Sequence, residues 1–240
     1  MIARGSPIDV IYQDETLVVV NKPGGILVHR TREASRDTVF LVQELRNQLG
    51  FQVFPVHRLD RAASGALLFA CSSAAARALQ TALSEPETIK RYLVLCRGET
   101  PASWEVERPL SNPERGTQEA RTHFETVAHF SRMSLVRARL FTGRRHQIRR
   151  HLAHSAHQVI GDTSYGKGRI NRALRESYGL PRMFLHAEEL AFRHPVHENR
   201  LRLRAPLATD LHQFLLRLPD VEATELQALL RGNTPGRATT

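Results

Sequence analysis

The segment His57-Arg58-Leu59-Asp60-Arg61-Ala62-Ala63-Ser64-Gly65 sets one carboxylate among one histidine and two arginines. Apolar runs flank this segment at residues 51–56 and 66–70, and both runs predict short buried strands. The polar residues therefore lie in a loop between two strands, and loops held by a rigid sheet are where catalytic groups concentrate. The alternative is a structural ion pair in a turn, which an isolated Arg-x-Asp pattern would favour.

A second cationic segment, Thr142-Gly143-Arg144-Arg145-His146-Gln147-Ile148-Arg149-Arg150-His151-Leu152-Ala153-His154, supports the catalytic interpretation. It follows a strand-like run at residues 135–141 and is compatible with a helix that starts near Arg144. At spacings of three, four and seven residues, Arg149 shares one face of that helix with apolar side chains: Leu152, Ala153, Ala156. The Arg149 guanidinium then points inward, where it needs an anion, because breaking a buried ion pair costs ~3–5 kcal/mol.

Asp60 is the natural candidate for the anion that Arg149 needs. The remaining arginines of the second segment fall elsewhere on the predicted helix and could face an anionic ligand: Arg144, Arg145, Arg150. A solvated basic face is the alternative explanation for any one of these arginines taken alone.

Composition points to a polyanionic partner. The chain has 240 residues, 41% of them hydrophobic, which allows a full core in one domain or in two lobes that share a sheet. Its 34 basic and 24 acidic residues give a formal charge of +10. The excess is almost wholly arginine, since lysine occurs only at positions 22, 90 and 167. Arginine forms bidentate contacts with phosphates and stacks on bases, which suits RNA.

Cysteine usage and the N-terminus indicate a cytoplasmic protein. Cys71 and Cys96 lie in or beside apolar runs, which predicts free thiols rather than a disulfide. Residues 1–7 do not resemble a signal peptide, and no stretch approaches the ~20 apolar residues of a membrane helix. We expect a monomer by default.

The predicted elements come in mixed order with several hairpins, which favours the α+β class over a doubly wound parallel sheet. Further strands are predicted at residues 10–12, 17–20, 26–28, 88–97, 121–130, 134–141, 189–193 and 200–205. Helices are predicted at residues 37–49, from Ser72 or Ser73 to Leu83, and at 210–216 and 223–230. The arginine-rich stretch 166–181 predicts a mobile surface insertion, and residues 232–240 predict a frayed tail.

Short motifs recur along the chain in a fixed order: Tyr12-Gln13-Asp14-Glu15, Asn21-Lys22-Pro23-Gly24-Gly25, His57-Arg58-Leu59-Asp60 to Ser64-Gly65, Lys90-Arg91-Tyr92, Gly143 to Arg149, Ile160-Gly161-Asp162 with Tyr165-Gly166, and Phe184-Leu185-His186-Ala187. Any one motif is weak, but the ordered set, covering about residues 8–206, resembles the RluA-type pseudouridine synthases. Val28-His29-Arg30 and the run from Arg149 to His154 are most similar to the compact C-type members that act on transfer RNA. Ala63 stands where relatives usually carry threonine, so a hydroxyl that could brace the loop is absent.

The resemblance implies an enzyme that isomerises uridine to pseudouridine in structured RNA, with uridine 65 of transfer RNA as the expected target. It implies a pseudouridine synthase fold of the α+β class, with a mixed, mostly antiparallel sheet, flanking helices and a central RNA-binding cleft. No cofactor is implied, because the base is detached from the ribose and rejoined through C5 without a net redox change. The catalytic domain would span residues 1–218 without an N-terminal RNA-binding module, and residues 219–240 would form a C-terminal helix and tail.

The resemblance also assigns roles to individual residues. Asp60 matches the carboxylate that acts at C1′ or at the base, Arg149 matches its anchor, and Tyr92 matches the group that manages the proton. Without the resemblance, Tyr92 would be taken for an ordinary core tyrosine. Arg58 matches a side chain that enters the space left by the flipped base, and Leu185 matches the apolar lining of the base pocket. Further substrate-binding positions are expected at His57, Arg144, His146, Gln147 and Lys22.

Three alternatives remain open at this point. A metal site would use the repeated imidazoles of the second segment and its flank: His146, His151, His154, His157. No cysteine or acidic residue lies near enough in sequence to complete that set, and the neighbouring arginines would repel a cation, so no metal is expected. A non-catalytic RNA-binding protein would explain the charge but not the catalytic matches. The third alternative is the same reaction on ribosomal RNA.

Overall fold

The computed structural model describes residues 5–30 and 39–231, and within these ranges strands and helices follow in mixed order. The strands are β1 (Asp9–Gln13), β2 (Leu17–Lys22), β3 (Phe54–Pro55), β4 (Ser64–Ala70), β5 (Ile89–Arg97), β6 (Ser103–Glu107), β7 (Leu110–Asn112), β8 (Gly116–Gln118), β9 (Arg121–Phe130), β10 (Met133–Leu140), β11 (Leu185–Arg193) and β12 (Arg200–Arg204). The helices are α1 (Leu41–Leu49), α2 (Ser73–Ala82), α3 (Gln147–His154), α4 (Gly168–Tyr178), α5 (Thr209–Leu216) and α6 (Ala223–Arg231). Pairing is mostly antiparallel, which confirms the α+β class.

The chain divides into two compact units. The first comprises Met1–Tyr92 with Leu185–Ala208, and the second comprises Leu93–Phe184 with Thr209–Thr240. The catalytic domain predicted to end at residue 218 is a functional division and stays a prediction. Within the described ranges, every helix is too short or too polar to cross a bilayer.

The sheet of the first unit runs in the order β1-β2-β4-β11, with β12 paired to β11 and β3 paired to β4. The strands predicted at residues 10–12 and 17–20 are confirmed as the hairpin of β1 and β2, and the Asp14 carboxylate fixes its turn by accepting the N–H groups of Thr16 and Leu17 at 2.7 and 2.9 Å. Every residue of β4 is buried, as expected for a central strand covered on both faces. β4 and β11 pair in parallel at Ser64 with His186 and at Gly65 with Ala187.

The helices of the first unit end where the sequence predicts. Ser72 caps α2, with its hydroxyl accepting the Ala75 N–H at 3.0 Å, and Gly50 ends α1 in the left-handed conformation. Leu79 of α2 is buried in one apolar cluster with Phe192 and other core residues. The first two residues of the helix predicted at 37–49 lie outside the described residues.

The second unit contains strands in the order β10-β9-β6, together with α3 to α6. β9 and β10 form a long antiparallel hairpin, and Trp104 on β6 stacks on Phe124 of β9 with ring centroids 4.9 Å apart. Phe184 lies 6.3 Å from the ring of Phe214 on α5, which packs this helix against the core. Both cysteines are free, as predicted, and Cys96 is buried while Cys71 is half-buried.

Two predicted elements are wrong. Residues 26–28 form no strand, and Leu27 makes a single bridge to Phe40. Residues 166–181, predicted to be a mobile surface insertion, contain the helix α4, whose Asn171 and Leu174 are buried one turn apart. Because most of this stretch is polar or charged, the sequence did not reveal the narrow buried face of α4. Gly179 ends the helix as a C-cap. The short strands β6, β7 and β8 were not predicted.

Several boundaries also differ from the prediction, and two of them concern the candidate site. β11 begins at Leu185 rather than at Glu189, because its first residues pair with β4. α3 begins at Gln147 rather than near Arg144, because the Gln147 side chain accepts the Arg144 N–H at 3.0 Å and closes a turn ahead of the helix. Arg144 and Arg145 therefore lie in that turn and not on the helix, while Arg149 is buried as predicted.

Candidate active site

The loop that carries Asp60 is held in place by hydrogen bonds from Lys22. The Lys22 side chain is fully buried, and its ammonium donates to the carbonyl oxygens of Pro23, Arg61 and Ala63 at 2.9, 3.2 and 2.7 Å. An ammonium has three donors, and these three carbonyls match them. Lys22 was predicted to bind substrate, but this burial gives it a role in shaping the loop, and a direct contact with RNA stays a prediction.

A second brace joins the loop to the turn at residues 23–25. The Gly25 N–H donates to the Arg61 carbonyl at 2.7 Å, and the Arg61 Nε donates to the Gly25 carbonyl at 3.0 Å. Ala63 is buried, and its carbonyl is one of the acceptors of Lys22. Backbone contacts thus brace the loop at Ala63, where the side chain has no hydroxyl to do so.

Asp60 and Tyr92 are electrostatic neighbours in the first unit. Tyr92 is half-buried on β5, and burial together with the negative charge of Asp60 raises the pKa of its phenol. The hydroxyl therefore keeps its proton at physiological pH and can donate a hydrogen bond. This proximity brings together two of the three residues predicted to be catalytic.

β4 and β11 approach each other closely where they begin, just after the loop that carries Asp60. Gly65 has a φ of +109°, and a Cβ placed there would lie 2.2 Å from the Ala187 carbonyl oxygen, so only glycine permits this approach. The buried Ser64 hydroxyl and the His186 Nδ1 are 2.9 Å apart, which ties the two strands together. Leu185, the predicted base-pocket residue, is buried at the start of the same strand.

His57 and Arg58, at the start of the loop, have different environments. The His57 Nε2 accepts the Leu68 N–H at 3.2 Å, and burial, with a smaller effect from the Lys90 charge, lowers its pKa to about 4. His57 is therefore neutral at pH 7 and contributes no charge to RNA binding. Arg58 is exposed, as a side chain that enters RNA must be.

In the second unit, Arg149 is buried and paired with Asp162. The Arg149 Nε and Nη2 donate to the two Asp162 carboxylate oxygens at 2.7 and 2.8 Å. The ring of Tyr165 lies 5.0 Å from the guanidinium carbon. Burial acts to raise the pKa of Asp162, but the hydrogen bond from Arg149 and the N–H groups of Tyr165 and Ser164 outweigh it and lower that pKa. The carboxylate is therefore ionised, and it fixes the plane of the guanidinium.

Asp162 is the partner of Arg149 that sequence reasoning missed. It lies in the Ile160-Gly161-Asp162 motif, and an inward arginine on α3 requires a buried anion, so the two signals together could have identified it. The predicted pairing of Arg149 with Asp60 stays a prediction.

The turn before α3 is shaped by Gln147. Its side-chain oxygen accepts from the Thr142 hydroxyl and the Arg144 N–H, and its nitrogen donates to the Arg121 carbonyl and the Thr122 hydroxyl. Gln147 was predicted to bind substrate, but it is buried and both of its polar atoms are engaged inside the protein. It therefore sets the path of the turn, and its contact with RNA stays a prediction.

Arg144 and His146 lie in that turn and are partly accessible. The Arg144 Nε donates to the Glu119 carbonyl at 2.9 Å. His146 adopts a left-handed backbone with a φ of 54°, and its Nδ1 lies 3.2 Å from the Tyr165 hydroxyl. Both residues remain candidates for contact with RNA.

Two of the histidines considered for a metal site, His151 and His157, serve separate hydrogen bonds. His151 is buried between the Thr122 hydroxyl and the Arg108 carbonyl, at 2.9 and 3.0 Å, and the His157 Nδ1 meets the Arg97 carbonyl. Among the described residues, one cluster has spacing suited to a metal, and it lies elsewhere: Asp14, His194, His197. In that cluster the His194 Nδ1 already accepts two backbone N–H groups, and its Nε2 lies 3.1 Å from the Asp14 carboxylate.

Known proteins provide an independent comparison. A family model described as RNA pseudouridylate synthase matches residues 16–154. The tRNA pseudouridine synthase C of Vibrio vulnificus is 37% identical over 220 residues, which cover 82% of this chain and 90% of that protein. The protein of the same name from Pasteurella multocida is 38% identical over 220 residues, with the same 82% and 90% coverage.

Solved structures agree on the fold. Human RNA Pseudouridylate Synthase Domain Containing 4 aligns with a TM-score of 0.72 at 23% identity, covering 88% of this chain and 92% of that one. Human RNA Pseudouridylate Synthase Domain Containing 1 aligns with a TM-score of 0.72 at 22% identity, covering 95% and 97%. At these identities the likeness concerns the fold alone.

Proposed function

The chain belongs to the RNA pseudouridylate synthase family, and on that premise we propose that it converts uridine 65 of transfer RNA into pseudouridine. As a member of the family it is an isomerase that acts on RNA. Transfer RNA as the substrate is supported by the relatives named for it, which match 82% of this chain at 37% and 38% identity.

The chemistry is carried by the Asp60 carboxylate, and the observation that supports this is its charge beside the Tyr92 phenol. The reaction breaks the bond between ribose C1′ and N1 of the base, rotates the base, and forms a bond between C1′ and C5. The hydrogen on C5 is lost, and N1 gains a hydrogen, so the product is an isomer and no oxidant or cofactor is needed. Asp60 acts as the nucleophile, at C1′ or at the base, and Tyr92 remains a protonated donor beside it.

The target base must leave its helix to reach this carboxylate. Extrusion of a base costs a few kcal/mol, and contacts to the flipped base and to the RNA must offset this cost. Arg58 is exposed at the start of the loop and fills the space left in the RNA, while the apolar Leu185 contacts the flipped base. The Arg149 guanidinium is fixed by Asp162, and the role of anchor that the family resemblance implies for it is part of this proposal.

The test uses the purified, unsubstituted protein (the parent) on three RNAs: a full transfer RNA transcript, the same transcript with cytidine at position 65, and ribosomal RNA fragments. Pseudouridine is mapped at single-nucleotide resolution. We expect modification of the first RNA alone, at the proposed position. Modification of ribosomal RNA alone would overturn the substrate while leaving the reaction class in place, and transfer RNA modified at another position would overturn the site.

A further inference from the structure

One buried carboxylate in the first unit gathers three arginines. The Glu189 side chain on β11 is 1% exposed, and it accepts from Arg91 at 3.0 Å, from Arg202 at 2.8 and 3.2 Å, and from Arg204 at 3.1 Å. Burial acts to raise the pKa of Glu189, but the hydrogen bond from Arg202 and the three guanidinium charges outweigh it and lower that pKa. The cluster therefore holds one negative and three positive charges at neutral pH.

The strand register places Arg202 and Arg204 on one face. Glu189 pairs with Arg204 and Ala191 pairs with Arg202, so the guanidiniums stand over the same side of β11 and β12. The alternate residues of both strands face the opposite side, where Leu190, Phe192 and Leu201 join the apolar core. The side chains of Arg202 and Arg204 are 56% and 52% exposed, so the cationic face is open to solvent.

Three arginines around one carboxylate are more than a purely structural ion pair requires. One arginine would neutralise Glu189, and each further arginine adds repulsion between like charges that an anion would relieve. The arginines also keep donors to spare, because each has five N–H groups and Arg204 uses one of them on Glu189, and Arg202 two. Within the part of the chain that the structure describes, Glu189 is the carboxylate these two arginines meet.

The position of the cluster suits a polymeric anion. Glu189 lies four residues beyond Leu185 on β11, and a strand rises about 3.3 Å per residue, so the cluster is roughly 13 Å from the start of the predicted base pocket. Leu185 and Glu189 are an even number of residues apart and share a face of that strand. A nucleotide bound at the pocket would thus have its neighbouring phosphates within reach of the guanidiniums, whereas a free small anion would gain nothing from this placement.

We propose that Arg91, Arg202 and Arg204, preorganised by Glu189, bind the phosphate backbone of the substrate RNA outside the target nucleotide. This inference rests on the proposed function for the identity of the RNA. A guanidinium fixed through one edge presents its other edge to phosphate with little loss of side-chain freedom on binding. The surface contributes affinity and register to substrate binding and takes no part in the chemical step.

The test compares the double variant Arg202→Gln/Arg204→Gln with two controls. Arg77→Gln removes an exposed arginine from α2, which packs on the core side of this sheet. Arg202→Lys/Arg204→Lys keeps both charges and removes only the planar fork. Transfer RNA affinity is measured as a function of salt, turnover is measured at saturating RNA, and thermal unfolding is recorded for each variant.

We expect the double glutamine variant to bind transfer RNA roughly tenfold more weakly, with the slope of log affinity against log salt reduced by about 1 for each phosphate that is no longer neutralised. Its turnover at saturating RNA stays at the parent value. The lysine variant keeps most of the affinity and the parent salt slope, and Arg77→Gln behaves like the parent. A structural role alone would instead lower the unfolding temperature of both double variants and leave the salt slope unchanged.

Two results would overturn the proposal. One is that the double glutamine variant binds transfer RNA with the affinity and salt slope of the unsubstituted protein. The other is that Arg77→Gln loses as much affinity as the double variant, because net charge alone would then explain the effect. If the parent modifies ribosomal RNA and not transfer RNA, the proposed substrate fails separately. In that case, the affinity of the same variants for the RNA that is modified tests whether these arginines bind its phosphates.

Discussion

The loop that carries Asp60 and the helix that carries Arg149 hold their charged groups by different means. In the first unit, backbone carbonyls serve as the anchors, since Lys22 reaches the carbonyls of Arg61 and Ala63. In the second unit, one side chain holds another, since Asp162 takes the Arg149 guanidinium through two hydrogen bonds. A side-chain substitution in the loop should therefore affect turnover first, whereas one beside the helix should affect stability first.

The sharpest test of the loop is Asp60→Asn, which keeps the shape and deletes the charge. We expect turnover to fall by at least ~10³-fold while RNA binding stays nearly intact. The exposed Asp9 offers a control, since Asp9→Asn makes the same substitution at the surface of the same unit. Pseudouridine formation above background in purified Asp60→Asn would remove Asp60 from its essential role.

The sharpest test of the helix is Asp162→Asn, which leaves Arg149 without its carboxylate. We expect the free energy of unfolding to fall by ~3–5 kcal/mol, because the guanidinium stays buried. Asp210 provides a matched control: Arg182 donates to its two oxygens at 2.7 and 2.9 Å, but the Asp210 side chain is 42% exposed. Asp210→Asn should cost about 0–1 kcal/mol. If chemical denaturation shows that Asp162→Asn and Asp210→Asn lose equal free energies of unfolding, burial does not make the Asp162 carboxylate the stronger anchor.

Tyr92→Phe tests whether the phenol is catalytic or only packs. The ring survives this change and the hydroxyl does not, so RNA affinity should stay within about twofold while turnover falls roughly 10²-fold. Single-turnover rates at saturating RNA separate the two effects. A rate near that of the parent would limit Tyr92 to packing beside Asp60.

His57 gives the stability of the loop a dependence on pH. The unfolded chain binds a proton on this ring below its ordinary pKa of 6.5, whereas the folded protein resists protonation until about pH 4. The contribution to stability is therefore present above pH 6.5 and is lost as the pH falls towards 4. His57→Gln should flatten the dependence of unfolding free energy on pH in that window by on the order of 2 kcal/mol. Parallel curves for parent and variant would count against a buried neutral His57.

Sequence reasoning succeeds where an inference depends on local spacing. The inward direction of Arg149 is correct even though α3 begins later than predicted, because the relation to Leu152 does not depend on where the helix starts. Ser72, one of the two serines predicted to begin α2, caps that helix for the same reason, since capping is decided within one turn.

Sequence reasoning fails where several distant backbone groups converge. The substrate contacts of Lys22 and Gln147 stay predictions, but the sequence did not indicate that both side chains are buried among protein acceptors or donors. The carbonyl of Ala63 and the hydroxyl of Thr122 are not marked by any residue pattern near Lys22 or Gln147. Their convergence depends on sheet register, which a single sequence does not reveal.

The pairing of Ser64 with His186 has a consequence for how the protein is made. These residues are 122 positions apart, and the whole of residues 93–184 lies between them. Closing so long a loop is entropically costly, and non-local pairing of this kind folds slowly. During synthesis, the ribosome must release the second unit's main segment before β11 can reach β4. We therefore expect the nascent chain to be inactive until late in translation, when its last strands dock.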